Sequence, residues 1–385
     1  MKKILFVIYN FNTGGVPSSL ESLYSVIKDK YDVDLFPIGW GGLHSFSFCE
    51  HLINSSLLLK MFASHGKDVR GLNKFLIGLF RPFKILLESL GFDLKSWVYR
   101  REVRLIELKT HYDCVISFQD RISAEFCCFF SKFPTIAWIH CDYPVLMGKK
   151  EDEKLFKNER KIICVSAFTA NSFKDYYPNL ASKVDYIYNV SDYQGIAEKA
   201  KCEIKDGHYK TDKFTIISLG RVSPEKRFDK IPSVAKKIKD MGFPFNWYII
   251  GPGKGNYSQE VTDAIERECV MDCVHWIGGK ANPYPYIKQA NLFVSLSSTE
   301  ACPMVFNEAR IFGLPVVSTD FGSSYEFVDD GCDGMIRPIE KIHEAISALI
   351  GNKDTYNKFR QNSKCHLIDN EKIVKQFDVL LNSLS

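Results

Sequence analysis

Short apolar runs alternate along this chain with stretches whose apolar residues recur at helical spacing. Residues 3–9 (KILFVIY) form a continuous apolar run of strand length, as a parallel strand covered on both faces requires. Leu20, Leu23, Tyr24 and Ile27 then keep one helical face. Residues 32–38, 114–117, 135–139, 161–166 and 184–188 read as further strands. After a polar, lysine-rich stretch at 195–212, expected to be a linker, the alternation restarts at 215–219. Residues 247–250, 274–277, 291–296 and 315–318 follow as strands, and 342–384 reads as helical. Strand–helix alternation run through twice predicts an α/β protein of two doubly wound, Rossmann-like domains facing a cleft. The expected boundaries are 1–190, 191–365, and a last helix within 366–385 that crosses back to the first domain.

Composition narrows the class. A chain of 385 residues supports two domains with full cores, and 45% hydrophobic with 25% charged residues is ordinary for a globular protein. No apolar run approaches the length that spans a bilayer, and residues 3–9 lack the length and cleavage site of a signal peptide. A net charge of +4 does not imply nucleic acid. The 12 cysteines show no CxxC pair or histidine-rich partner spacing, so buried free thiols and a cytoplasmic location are expected rather than zinc or a disulfide framework.

Charge is unevenly placed. Residues 60–109 carry eleven Lys or Arg against five Asp or Glu. Within them Leu72, Phe75, Leu76, Leu79, Phe80 and Phe83 share a helical face, with Arg70, Lys74, Arg81 and Lys84 opposite. Two readings stay open. The stretch lies on an anionic membrane surface, or it is a core-facing helix with a solvated face, kinked or ended near Pro82.

The chemistry concentrates in residues 297–317 (SSTEACPMVFNEARIFGLPVV). Pro303 can start a helix but cannot sit inside one without cost. Glu300 is therefore expected in a loop and Glu308 within a helix. The amides of Met304, Val305 and Phe306 would point out of that helix's start, which favours an anion. Arg221 and Lys226 follow the strand at 215–219, and two fixed cations near a helix start are what a diphosphate needs. Asn12, Thr13, Gly14 and Gly15 follow the first strand, as a bare turn or as a loop that lets backbone approach a ligand. That loop is not GxGxxG, so a dinucleotide enzyme is disfavoured. His140 stands just past the carboxyl end of the strand at 135–139, where such sheets bind ligands.

The Glu300/Glu308 pair, the GLPVV run at 313–317, Glu326 and the GCDG run at 331–334 resemble the donor-site signature of family 4 retaining glycosyltransferases, which have the GT-B fold. The resemblance covers nearly the whole chain, with its specific motifs in residues 215–334. It implies that Glu300 faces the donor sugar and Glu308 holds ribose hydroxyls. Arg221 and Lys226 would form the phosphate loop, and Ile277 would lie at a strand end lining the nucleotide base. Gly15 would lie near the donor phosphate, and His140 would be an active-site residue. The family often has Gly-Phe-Gly after the first glutamate; here Ala301, Cys302, Pro303 and Met304 stand there.

The implied function is transfer of a sugar from a nucleotide-diphosphate donor, a UDP-sugar in preference to a GDP-sugar, to a glycan or glycolipid. Configuration would be retained, in cell-surface polysaccharide or lipopolysaccharide synthesis. No cofactor is expected. No Asp-x-Asp motif stands in a setting that requires a divalent ion, so catalysis is expected without metal. Expected partners are the donor, a glycan or lipid-linked acceptor and an anionic membrane on its cytoplasmic face, with no nucleic acid. The alternatives are a nucleotide-sugar epimerase on the same fold, or a non-catalytic nucleotide-sugar binding subunit.

Overall fold

The computed structural model describes residues 1–11, 14–40, 51–63, 72–253 and 255–384. They divide into two compact units, Met1–Val190 with Asn370–Ser385, and Ser191–Asp369.

Unit 1 is built on six parallel strands: β1 (Lys3–Ile8), β2 (Asp32–Pro37), β3 (Cys114–Ser117), β4 (Thr135–Ile139), β5 (Lys161–Cys164) and β6 (Val184–Tyr186). Their order is β2-β1-β3-β4-β5-β6. The continuous apolar runs are explained by burial on both faces: residues 4–8 of β1 have no exposure. Helices α1 (Gly15–Ile27), α2 (Leu57–Ala63), α3 (Leu72–Ser89) and α4 (Leu94–Lys109) lie between β1 and β3 in sequence. Helix α4 turns Val98, Tyr99, Val103 and Ile106 into the core. The final helix, Asn370–Asn382, also belongs to this unit. Its buried Phe377 meets Tyr31 edge-on at 5.7 Å and Trp138 at 6.0 Å, and Asp378 accepts a hydrogen bond from the Tyr31 hydroxyl at 2.5 Å.

Helix α3 departs from the expectation that it ends near Pro82. It runs through Pro82 to Ser89 without ending. Proline withholds one N–H from the carbonyl four residues back, and here that residue is the exposed Gly78, whose carbonyl water can serve. Nor does its apolar stripe face the core. Phe75, Leu79, Phe83, Leu86 and Leu90 are each more than half exposed, while Phe80 packs on Phe62 of α2 at 5.2 Å. Arg70 and residues 64–69 of the basic stretch lie outside the described residues, as do Asn12 and Thr13.

Unit 2 has six parallel strands: β7 (Phe214–Leu219), β8 (Phe245–Ile250), β9 (Val274–Trp276), β10 (Leu292–Ser295), β11 (Val316–Ser318) and β12 (Gly334–Ile336). Their order is β12-β11-β10-β7-β8-β9. From β7 the chain works outward on one side to β9, then returns to the other side of β7 with β10. The carboxyl ends of β7 and β10 therefore flank a topological switch point, where loops diverge and open a crevice. Buried polar contacts join the central strands. Trp247 of β8 donates to Ser218 Oγ at 3.0 Å, and that hydroxyl donates to the Val294 carbonyl at 2.6 Å.

Two expectations about this unit are corrected. The stretch 195–212 is not a free linker: Tyr193–Lys199 is helical, Lys280 pairs with Asp206 at 2.7 Å, and buried Tyr209 packs on Tyr248 and Tyr286. Strand β12 was not expected from its three residues, because glycine and a short run give no periodicity to read.

Candidate functional site

Loop geometry after β7 is set by close backbone approach. A Cβ on Gly251 would sit 1.7 Å from the Gly220 carbonyl oxygen, so only glycine fits there. Gly220 has φ +153, and Lys226 folds back across it. Lys226 closes a single 3-10 turn, Pro224–Lys226, and its amide donates to the Ser223 carbonyl at 3.0 Å. Arg221 leaves the same loop outward; it is mostly exposed and pairs with Glu225 at 3.3 Å.

The loop after β10 is pinned to this one. Ser298 donates its amide to the Glu225 carbonyl at 2.8 Å. Glu300 pairs directly with Lys226, and Ser297 Oγ donates to the same carboxylate oxygen at 2.8 Å. Ser323 Oγ holds the Glu300 carbonyl at 2.7 Å. The structure therefore brings Lys226 and Glu300 together, whereas Arg221 stands apart from both. The two serines that fix Glu300 were not singled out from sequence; Ser297, three residues before it, was the readable signal.

Helix α5 (Met304–Ile311) begins just past Pro303, as the sequence predicts. One of the three expected outward amides is occupied: Phe306 donates to the Pro303 carbonyl at 3.0 Å, an i to i−3 bond that tightens the first turn. The Met304 and Val305 amides remain as the candidate pair for an anion. Glu308 lies on the buried side of α5 and takes a hydrogen bond from Tyr284. Burial raises its carboxyl to about 7, against the smaller opposing pull of that hydrogen bond and of Lys199. Ile277 follows β9, with its amide donating to the Ile249 carbonyl at 3.0 Å. Beside it, Gly278 in a left-handed conformation (φ +72) donates no Cβ to that rim.

Gly15 and His140 lie in unit 1 and are described within it. Gly15 opens α1, and a Cβ there would meet nothing within 4 Å. Neither crowding nor a left-handed backbone demands glycine at this position. His140 follows β4, and its amide donates to Asp120 Oδ1 at 2.8 Å. Its ring packs on Phe118 with centroids 4.5 Å apart. Burial lowers the imidazole to about 3, so the ring is neutral at pH 7. Its Nε2 is enclosed and has no hydrogen-bond partner among the described residues. An enclosed polar atom without a partner is costly, and a ligand that completes it recovers that cost.

The eleven cysteines among the described residues are all free, four of them buried. No helix among the described residues is long and apolar enough to cross a membrane.

Residues 201–366 match the family model described as glycosyl transferases group 1. A protein of the cps region of Klebsiella pneumoniae is 24% identical over 228 residues, which are 57% of this chain and 61% of that protein. The O-antigen biosynthesis glycosyltransferase WbnH of Escherichia coli is 21% identical over 94% of both chains. Anabaena HepE, solved in complex with UDP and glucose, superposes over 100% of both chains with a TM-score of 0.77 at 16% identity. The chain thus has the GT-B fold, and its residues 201–366 are similar to group 1 glycosyl transferases.

Proposed function

We propose that the protein transfers a sugar from a nucleotide-diphosphate donor, a UDP-sugar in preference to a GDP-sugar, to a glycan or lipid-linked acceptor. Transfer retains configuration and serves cell-surface polysaccharide or lipopolysaccharide synthesis. The observation that carries this reading is the Lys226–Glu300 pair, fixed by Ser297 at the β7/β10 switch point on the loop that leads into α5. The UDP and glucose bound in HepE and the similarity to cps-region and O-antigen biosynthesis proteins support the donor class and the pathway.

In this reading the diphosphate lies between Lys226, Arg221 and the Met304 and Val305 amides. Departure of the diphosphate builds negative charge on its terminal phosphate, and preorganised cations and amides stabilise that charge without metal. Glu300 faces the donor sugar, and Glu308 receives the ribose hydroxyls. A phosphate oxygen of the donor accepts the acceptor's proton. Within unit 1, the unpartnered Nε2 of His140 and the open space at Gly15 support their reading as ligand-facing positions.

The acceptor is proposed to be membrane-borne, reached by docking of α3 on the cytoplasmic face. The exposed stripe of Phe75, Leu79, Phe83, Leu86 and Leu90, on a helix that also carries Lys74, Arg81 and Lys84, supports it. Such a stripe matches the boundary between anionic headgroups and acyl chains.

A screen of mass-tagged nucleotide sugars, with extracted membrane lipid as acceptor, tests the function. Transfer from one UDP-sugar is expected. Failure of calorimetry to detect any nucleoside diphosphate would overturn the donor site. Binding without transfer to any acceptor would favour the non-catalytic subunit instead.

A further inference from the structure

We propose that Asp329, Cys332 and His366 form a binding site for a divalent transition-metal ion of the zinc class. A carboxylate oxygen, the thiol sulfur and an imidazole nitrogen of these residues all lie within 4.8 Å of one another. That span suits three ligands around one ion, and the mixed O, S and N set favours a borderline-soft cation over calcium or magnesium.

The surroundings are those of a supported site. The turn 329–333 carries three carboxylates, and two are committed: Asp330 to Arg337 at 2.8 Å, and buried Asp333 to Arg310 at 2.7 Å. Asp329 has no ion-pair partner among the described residues and accepts a hydrogen bond from the Cys332 thiol. The thiol proton is what a metal displaces, leaving a thiolate on the ion. Asp333 also holds His366 Nδ1 at 3.0 Å, the outer carboxylate that fixes a ligating imidazole and raises its basicity. The turn itself is strapped in place: Asn362 donates to the Cys332 carbonyl at 2.9 Å, and Ser363 to the Asp333 carbonyl at 3.0 Å.

The second grouping of this kind, Asp32, Asp34 and His51, differs in one respect that decides against it. Lys3 already lies 2.8 Å from Asp32 and 3.3 Å from Asp34 and neutralises them. Among the described residues no cation lies within ion-pair distance of Asp329.

An ion here would tie the turn before β12 to the segment between the helix Lys353–Ser363 and residue 369. It would act through Asp333 and Arg310 at the carboxyl end of α5, whereas the amides assigned to the donor open its amino end. The ion is structural in this reading and takes no part in sugar transfer.

The test uses the full chain with the exposed thiols removed by Cys202→Ser, Cys269→Ser and Cys365→Ser. Cobalt(II) alone is the probe. One equivalent is expected to bind with a sulfur-to-cobalt charge-transfer band, to release about one proton, and to be displaced by zinc. Thermal stability rises with either ion. Cys332→Ser should abolish the band, and His366→Ala should weaken binding at least tenfold, with circular dichroism confirming the fold. Should Cys332→Ser not fold, the exposed Asp329→Asn reads the affinity in its place. Absence of saturable binding, or affinity unchanged in His366→Ala and Asp329→Asn, overturns the site. UDP affinity, measured alongside, is expected to be unaffected by all three changes.

Discussion

Lys226 and Glu300 are paired with each other, although the sequence assigns one to the phosphates and the other to the sugar. The pair is mostly buried, and Ser297 Oγ donates to the same carboxylate oxygen at 2.8 Å. In the proposed reading, a diphosphate arriving at Lys226 meets an ammonium already paired with Glu300 and has to share it.

Opposite outcomes are expected for the two partners. Lys226→Ala should weaken UDP affinity by roughly 1.5–3 kcal/mol, the scale of a charge-assisted hydrogen bond. Glu300→Gln should spare or improve UDP affinity, because it frees the ammonium, while lowering turnover. Calorimetry with UDP and a transfer assay separate the effects. Equal loss of UDP affinity in both variants would mean that the pair acts only as structure. Arg221→Ala should cost less than Lys226→Ala, since Arg221 is exposed and engaged only by Glu225.

Glu308 makes the protein's behaviour pH-dependent. Its folded value of about 7 stands above the ordinary 4.5. Below pH 4.5 both folded and unfolded chains hold the proton. Between 4.5 and 7 only the folded chain does, so this group's contribution is progressively lost as pH rises through the folded value. The shift corresponds to something on the order of 3 kcal/mol. Glu308→Gln should accordingly gain stability relative to wild type from pH 5 to 8, read as a widening difference in Tm. UDP affinity should rise with pH from 6 to 8 more steeply in wild type than in the variant, because ionisation creates the acceptor for ribose hydroxyls. Parallel pH profiles for the two proteins would remove Glu308 from the ribose site.

Metal removal should leave transfer intact. With positive charge supplied by Lys226, Arg221 and two amides, EDTA should change the rate by less than about twofold, well short of the tenfold that 1.4 kcal/mol of barrier represents. Loss of thermal stability on chelation at an unchanged rate would fit an ion at Asp329, Cys332 and His366. A rate restored only by magnesium or manganese would contradict the mechanism.

Helix α3 should bring the chain to anionic vesicles. Each Lys or Arg near such a surface contributes about 1 kcal/mol, and the inserted aromatic rings add to it. Sedimentation with liposomes should show binding that weakens with salt. It should fall in Lys74→Glu/Arg81→Glu/Lys84→Glu, and also in Phe75→Ser/Phe83→Ser, where the charge is intact. No binding at low salt would reject the membrane reading and leave the transferase reading standing.

What the sequence shows and hides follows from the physics of each element. Eleven of the twelve strands were readable because burial on both faces leaves continuous apolar runs, as in β1 and β8. The β12 run of Gly334, Met335 and Ile336 was too short to carry a signal. Pro303 marked the start of α5 correctly, since a ring that fixes φ acts locally. It could not show that Phe306 turns its amide back to Pro303. The stripe of α3 was legible as a helical face, but periodicity does not tell whether a face meets protein or solvent. The pairing of Lys226 with Glu300 spans 74 residues, and only the β7–β10 adjacency brings them together.

The return of the last helix to unit 1 makes unit 2 an insertion, joined to its host at Val190–Ser191 and at Asp369–Asn370. A stop codon near residue 370 would therefore strip Phe377 from Tyr31 and Trp138 and damage the half of the chain farthest from it in sequence. Residues 191–369, by contrast, begin and end within one unit and keep Lys226, Glu300 and Glu308 together. Excised as a single piece, they are the natural fragment for nucleotide-binding studies, and a truncation series from the carboxyl end would misreport unit 1 failure as loss of the donor site.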